Sequence, residues 1–457
     1  MGTLAYFAAL PVGWMFLRWI WDRPQRGVLL VAALVPFNGL LLIAPEWMRV
    51  DGWKEGLLLL TLAVAAFVPH RDNQPRPALP WWPIAAALLV FGVSSAFLTA
   101  GKLGLFGIKI TFFYLLVVPL ILYLRPFTSR DRDVLVTIMM IESVGIALFG
   151  LAQQAIGADG LAQMGYEHNV TIRFAGGLLR SFGTFNQPFP FAFYLVMVLL
   201  VGGSVALAAP GRARNRAFLF CTPILVAGVA ASVVRAAIVG LVVGALVLAV
   251  VRYREHLKAL LIGTGVLVLI AGGAASSSAR SSLLSSDSLA AREMGWRVVT
   301  RTVGSHPFGD GLGSTGAAKA AQLVAELGPM AENLPYATGE VQIYGRPYQP
   351  DNYYVKLLIE LGPVGVWLFV AIMVVIYLLS MRTARTVSGN DSALALGVGA
   401  SVLACAVASV ASSYFEIFPS DFYFWLLAAV VGCIATQHNS ADGEPVVARS
   451  FVREQVS

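Results

Sequence analysis

Apolar runs of about 14–29 residues, most of them close to the length a bilayer crossing needs, follow one another along almost the whole chain. They lie at roughly 4–20, 27–45, 56–69, 81–99, 104–124, 134–156, 189–209, 217–234, 236–251, 258–275, 352–380, 393–413 and 422–436. Only helices or closed barrels satisfy the backbone in lipid, and these runs are too long and too uniformly apolar for alternating barrel strands. The pattern predicts an all-α polytopic membrane protein. The first run holds Pro11 and Arg18 and the third is short, so the count is 12 or 13 transmembrane helices. The chain divides into N-terminal spans (1–156), a first outer loop (157–188), central spans (189–275), a large, partly helical outer loop (276–350), C-terminal spans (351–437) and a short tail (438–457).

One long stretch, about 275–354, breaks the pattern with polar residues. After a Ser-rich entry, Leu289, Trp296, Val299 and Val303 recur at helical spacing and predict an amphipathic helix over Asp287–Val303. A second helix is expected over Thr315–Leu327, stopped by Gly328-Pro329. Between them runs His306-Pro-Phe-Gly-Asp-Gly-Leu-Gly313, and the stretch ends at Pro350-Asp-Asn-Tyr-Tyr354, directly before an apolar run. The shorter loop carries Arg173, Gly176-Gly177 and Arg180-Ser-Phe-Gly-Thr-Phe-Asn-Gln-Pro188, the composition of a compact loop rather than a linker.

Charge fixes orientation. Alternate short loops and the tail hold Arg23, Arg26, Arg71, Arg76, Arg125, Arg130, Arg132, Arg212, Arg214, Arg216, Arg252, Arg254, Lys258, Arg382, Arg385, Arg449 and Arg453; the other short loops hold little beyond Arg49, Lys54 and Lys102. The first set is therefore cytoplasmic, and both long loops fall on the far side. No nucleotide triphosphate or nucleotide sugar is present there, so a substrate must bring its own activated leaving group. Only 12% of residues are charged, against about 25% in soluble proteins. The net charge of +7 sits beside helix ends, which is a topology signal and not one for nucleic acid. Cys221, Cys405 and Cys433 lie in apolar runs, so no disulfide framework is expected. The first run lacks a basic leader and a cleavage site.

Arg235 is the most informative single residue. It sits between two apolar runs with almost no polar loop, where it either snorkels or binds an anion in a cavity. Its planar fork suits phosphate. Arg173, Arg180, Arg292, Arg297, Arg301 and Arg346 add six arginines in the outer loops and together predict a diphosphate-binding field. Arg292 and Trp296 lie one turn apart, so one helix face could present a cation while the other packs. Asp351 reads as a helix cap, a general base, or both. Glu360, within an apolar helix, either pairs with a buried arginine or lines the cavity. His306 reads as loop surface. Gly309, Gly311 and Gly313 predict a tight turn that lets backbone approach the substrate, because they follow no strand of an α/β unit. Asp131-Arg-Asp133 lies in a basic cytoplasmic strip and is discounted as a metal–nucleotide motif. Gly240 and Gly244 predict close helix packing. No His/Cys/Asp cluster has metal spacing, so a metal-independent reaction with no cofactor is expected.

Four pieces of the chain resemble the O-antigen ligase and O-antigen/exopolysaccharide polymerase superfamily of bacterial inner membranes. They are Arg180-Ser-Phe-Gly-Thr-Phe-Asn-Gln-Pro; Ser232-Val-Val-Arg235-Ala; Ala291-Arg292-x-x-x-Trp296 with His306-Pro-Phe-Gly-x-Gly-x-Gly313; and Asp351-Asn352-x-Tyr354-x-x-x-Leu358-x-Glu360-x-Gly362-x-x-Gly365. The resemblance covers roughly residues 170–380. It implies about 12 helices and a metal-independent, inverting glycosyltransferase using undecaprenyl-pyrophosphate-linked glycans at the periplasmic face. The acceptor would be a glycan or a lipid, and chain-length regulators or flippases would be partner proteins. Arg235 and Arg292 would hold the pyrophosphate, with Arg180 a third ligand. Asp351 would activate the acceptor hydroxyl or orient it. Arg173, Arg297, Arg346, Trp296, Asn352, Tyr354, Glu360 and His306 complete the substrate-binding set. The ligases carry a histidine where this chain has Asp351, and polymerases often have Asp-Asn there, which favours a polymerase over a ligase. A lipid or glycan transporter is the competing class, but it would show paired halves and helices broken near the midplane.

Overall fold

The computed structural model describes residues 13–50, 52–69, 75–175, 177–256, 299–300, 303–327 and 350–441. Where they are described, twelve of the thirteen apolar runs fall on helix; residues 4–12 of the first run and the whole run at 258–275 lie outside the described residues. The helices are α1 (13–22), α2 (Gln25–Leu34, continued as 3-10 turns to Leu42), α3 (Trp53–Phe67), α4 (Trp82–Ala100), α5 (Gly104–Leu124) and α6 (Ser129–Gln163). They continue with α7 (Pro188–Ala208), α8 (Ala213–Ala231), α9 (Arg235–Val251), α10 (Gly316–Leu327), α11 (Tyr353–Thr386), α12 (Gly389–Ala408) and α13 (Ser420–Ala441). A two-stranded hairpin, β1 (Arg173–Ala175) and β2 (Leu178–Arg180), interrupts them.

Seven segments are long and apolar enough to cross a membrane, among the described residues. The protein is thus an all-α, multi-span membrane protein. One of the seven, Trp82–Leu124, is itself a hairpin. Its chain reverses at Gly101–Leu103, so Gly92 abuts Phe112 and Gly104 abuts Ala96. The helices α3 and α9 are shorter, at 15 and 17 residues, and α8 opens with Arg214 and Arg216.

The bundle is built around α7, which is apolar and buried on nearly every face, with α12 and α8 packed most closely against it. A helix hydrophobic all round has to sit inside. Contact between α9 and α12 depends on the predicted glycines: a Cβ on Gly240 or Gly244 would lie 3.0 or 3.1 Å from the carbonyls of Ala404 and Ala400. Small residues let helix backbones approach where lipid offers no hydrophobic drive.

The loops assigned to one side by charge meet at one end. Arg132 forks onto Asp391 at 2.5–3.0 Å, Arg214 reaches Asp133 at 3.0 Å, and Arg252 bonds the Ala384 carbonyl and Ser392. The discounted acidic triplet is structural. Asp131 closes a capping box with Thr128 at the start of α6 and pairs with Arg23, which satisfies end donors the helix cannot.

Two predicted elements differ from expectation. Helix α6 runs to Gln163, past the expected loop start at 157, with a break at Gly157 (φ 74). The segment expected as one uninterrupted helix over 352–380 extends to Thr386 and is broken at Gly362 (φ 62, ψ −169). Pro363 explains the second break. It has no N–H for the Ile359 carbonyl, and its ring disfavours helical geometry at the residue before it.

Candidate active site

The broken turn of α11 is where the long polar stretch docks. With their helical partners lost, the carbonyls of Ile359 and Glu360 accept from Asp310 N (2.8 Å) and Gly311 N (3.0 Å). Gly309, Gly311 and Gly313 all have positive φ. A Cβ on Gly309 would fall 2.4 Å from the Glu360 carbonyl, and one on Gly311 2.0 Å from Thr99 Oγ1. Gly309 and Gly311 therefore let backbone pack closely on α11 and α4, a contact the sequence reading did not include. His306 stands exposed on this turn, 3.1 Å from Asp310. Gly309→Ala should cost about 1–3 kcal/mol from backbone strain alone, seen as a lowered unfolding midpoint in detergent. Gly203→Ala, in open space on α7, should leave the midpoint unchanged or raise it slightly.

At the end opposite the Arg132–Asp391 and Arg214–Asp133 ion pairs, three separate stretches meet. The hairpin sets Arg173 directly across from Arg180. Its end is stitched to the α8–α9 junction: Ser181 N donates to the Ala231 carbonyl at 3.0 Å, and Arg180 Nε to the Ser232 carbonyl at 3.2 Å. The junction is a tight turn in which Val233 takes φ 53. A β-branched residue rarely adopts that conformation; Ser232 Oγ supports it by accepting from Val234 N. Arg235 follows at once as the first, exposed residue of α9. The Arg180 guanidinium lies 4.7 Å over the Phe189 ring. Burial first, then the fields of Arg173 and Arg235, lower its pKa to about 10, while Asp351 opposes the shift. It stays cationic at neutral pH. Like charges placed face to face cost stability, and an anion among these arginines would offset that cost.

Next to them opens a cavity of about 430 Å³, lined by Asn38, Lys54, Arg173, Asn186, Gln187 and Asp351, with Glu416 and Phe418 among its further walls. Asp351 is exposed and does not cap α11. The cap is Asn352, whose Oδ1 accepts from Tyr354 N at 2.9 Å and Val355 N at 3.1 Å. Tyr354 donates its hydroxyl to the Ala406 carbonyl at 2.9 Å. Both side chains thus hold α11 in place and set Asp351 at its mouth.

Glu360 is fully buried and pairs with Lys356, one turn earlier, rather than with an arginine. It also accepts from Thr315 N (3.2 Å) and Thr315 Oγ1 (2.8 Å) at the start of α10. The Lys356 ammonium, itself fully buried, lies 2.9 Å from Glu416 Oε1. Lys356 and Glu416 escaped the sequence reading. A lysine inside an apolar helix is costly without a partner, and Glu360 four residues on was the available signal; nothing local pointed to Glu416. Asn186 and Gln187 were read as part of a compact loop and of the family-like Arg180–Pro188 stretch, without a role at the site. Arg292, Trp296, Arg297, Arg301 and Arg346, with the amphipathic helix expected over Asp287–Val303, lie outside the described residues, except for the helix's end near Val303. Among the described residues, no His/Cys/Asp/Glu group could hold a metal ion.

Fold and site together define a multi-span helical membrane protein with an arginine-flanked, carboxylate-bearing cavity at one end. Residues 220–370, about a third of the chain, match the Wzy_C family model, O-antigen ligase. That family carries out ligase- or polymerase-type glycan transfer on lipid-linked substrates. No curated protein matches the chain. The matched segment holds the Ser232–Arg235 junction, the glycine turn and the start of α11.

Proposed function

We propose that the protein is an inverting, metal-independent glycosyltransferase of the bacterial inner membrane. It joins repeat units of O-antigen or exopolysaccharide carried on undecaprenyl pyrophosphate, at the periplasmic face, through 12 or 13 membrane crossings. One observation carries the reading: Arg173, Arg180, Arg235 and Asp351, from three separate stretches of the chain, meet in one charge field beside a cavity. In this reading the arginines bind the diphosphate and stabilise the charge it gains on leaving. The acceptor hydroxyl attacks the anomeric carbon from the opposite face. Arg292, carried over from the family resemblance, belongs to the same set.

The family description itself favours a second reading, transfer of a finished glycan to a lipid or protein. Deleting the gene and resolving surface and lipid-linked glycan by gel distinguishes the two. Loss of long chains, with single repeats remaining, is the expected outcome. Accumulated unattached long chains would indicate a ligase, and an unchanged glycan profile would remove both readings.

A further inference from the structure

Glu416 is the one acidic residue with a buried side chain that lines the cavity, among the described residues. It sits on the short 3-10 turn Tyr414–Glu416 between α12 and α13. That turn is tied to the Asp351 segment: Ser413 Oγ donates to the Pro350 carbonyl at 2.6 Å, and Tyr353 N to the Ser409 carbonyl at 2.9 Å. Its side chain is 4% exposed. Lys356 Nζ lies 2.9 Å from Oε1, yet neither Oε1 nor Oε2 receives a hydrogen bond from the described residues. Buried carboxylate oxygens are normally satisfied. Glu360, by contrast, has its oxygens occupied by Thr315 and Lys356. The cluster therefore holds two carboxylates, of which only Glu416, a residue that lines the cavity, has oxygens left without a donor among the described residues.

We propose that Glu416 is the base that takes the proton from the acceptor hydroxyl, while exposed Asp351 orients the acceptor at the cavity mouth. The role rests on the glycosyltransferase reading above. The acceptor oxygen forms a bond to the anomeric carbon of the lipid-diphosphate-linked glycan as the bond from that carbon to the diphosphate oxygen breaks. The electron pair leaves with the diphosphate, the proton passes to Glu416 Oε2, and water later removes it. Two features support the assignment. A carboxylate withdrawn from water exerts its full charge on the hydroxyl. Burial, moderated by Lys356 and reinforced by Glu360, also holds its pKa above the ordinary carboxylate range, closer to the working pH of a base.

The test uses the full-length protein in detergent or nanodiscs with a polyprenyl-diphosphate-linked glycan. Glu416→Gln keeps the shape and a partner for Lys356. It should lower kcat at least about 100-fold with KM and donor binding within about threefold. Glu416→Asp should retain partial turnover with a displaced acidic limb in the pH–rate profile. Turnover of Glu416→Gln within threefold of wild type, or parallel loss of donor binding and turnover, would overturn the role. If Glu416→Gln does not fold, Glu416→Asp decides alone, and an unmoved acidic limb overturns it. Wild-type protein that neither binds nor transfers this donor would refute the glycosyltransferase reading itself, and this role with it.

Discussion

Arg235→Ala should reduce glycan transfer by about 100- to 1000-fold, the cost of removing one preorganised donor to a developing anion. The protein should still insert, and its melting temperature should stay near that of wild type. Arg235 is exposed at the first position of α9, so its truncation opens no core cavity. Arg235→Lys should recover only part of the loss, because an ammonium cannot make the paired bonds of a guanidinium. Arg292→Ala should behave like Arg235→Ala. The measurement is in vitro transfer alongside thermal unfolding in detergent. Wild-type polymer length in cells carrying either alanine variant would defeat the diphosphate-binding reading. The strained Val233 turn gives a reason for the position. It allows α8 to pass into α9 within three residues, so the guanidinium emerges at the membrane end beside Arg180.

Lys356→Met should be the most damaging substitution for stability. The ammonium is fully buried between Glu360 and Glu416. Removing one partner from a buried ion cluster typically costs about 3–5 kcal/mol, because the charges left behind remain desolvated. The triple variant Lys356→Met, Glu360→Gln, Glu416→Gln should recover much of that loss, since it removes the stranded charge and keeps acceptors for Thr315. Chemical or thermal unfolding of the purified variants checks both outcomes. Equal destabilisation of the single and triple variants would show that packing, rather than charge, holds this region.

The cavity was only partly legible in the chain. Arg173, Arg180, Arg235 and Asp351 stood out because a charge next to an apolar run, on the side where charge is scarce, needs a physical reason. Lys356 had the same signal and was passed over. Glu416 gave none, being an ordinary polar residue between two apolar runs; Lys54 was noted only as an outer-loop charge, and Asn186 and Gln187 only within the Arg180–Pro188 loop stretch. The cap at the start of α11 was misassigned by one residue, since Asp351 and Asn352 are both good caps and only the backbone geometry chooses between them. The glycine turn was read as facing a substrate. It also docks on α11, where the break at Gly362-Pro363 leaves two carbonyls that need donors.

The sequence by itself determined the helices, their order and which loops share a side. Hydrophobic run length and loop charge are local properties, set by the thickness of a bilayer and the cost of moving arginine across it. Only the tertiary structure decided which polar groups meet. The pairing of Glu416 with Lys356, 60 positions apart, and the approach of the Arg173–Arg180 hairpin to Arg235 depend on how α7, α9, α11 and α12 pack. That packing follows from side-chain shape and glycine contacts spread over the whole bundle, which no single stretch of sequence records.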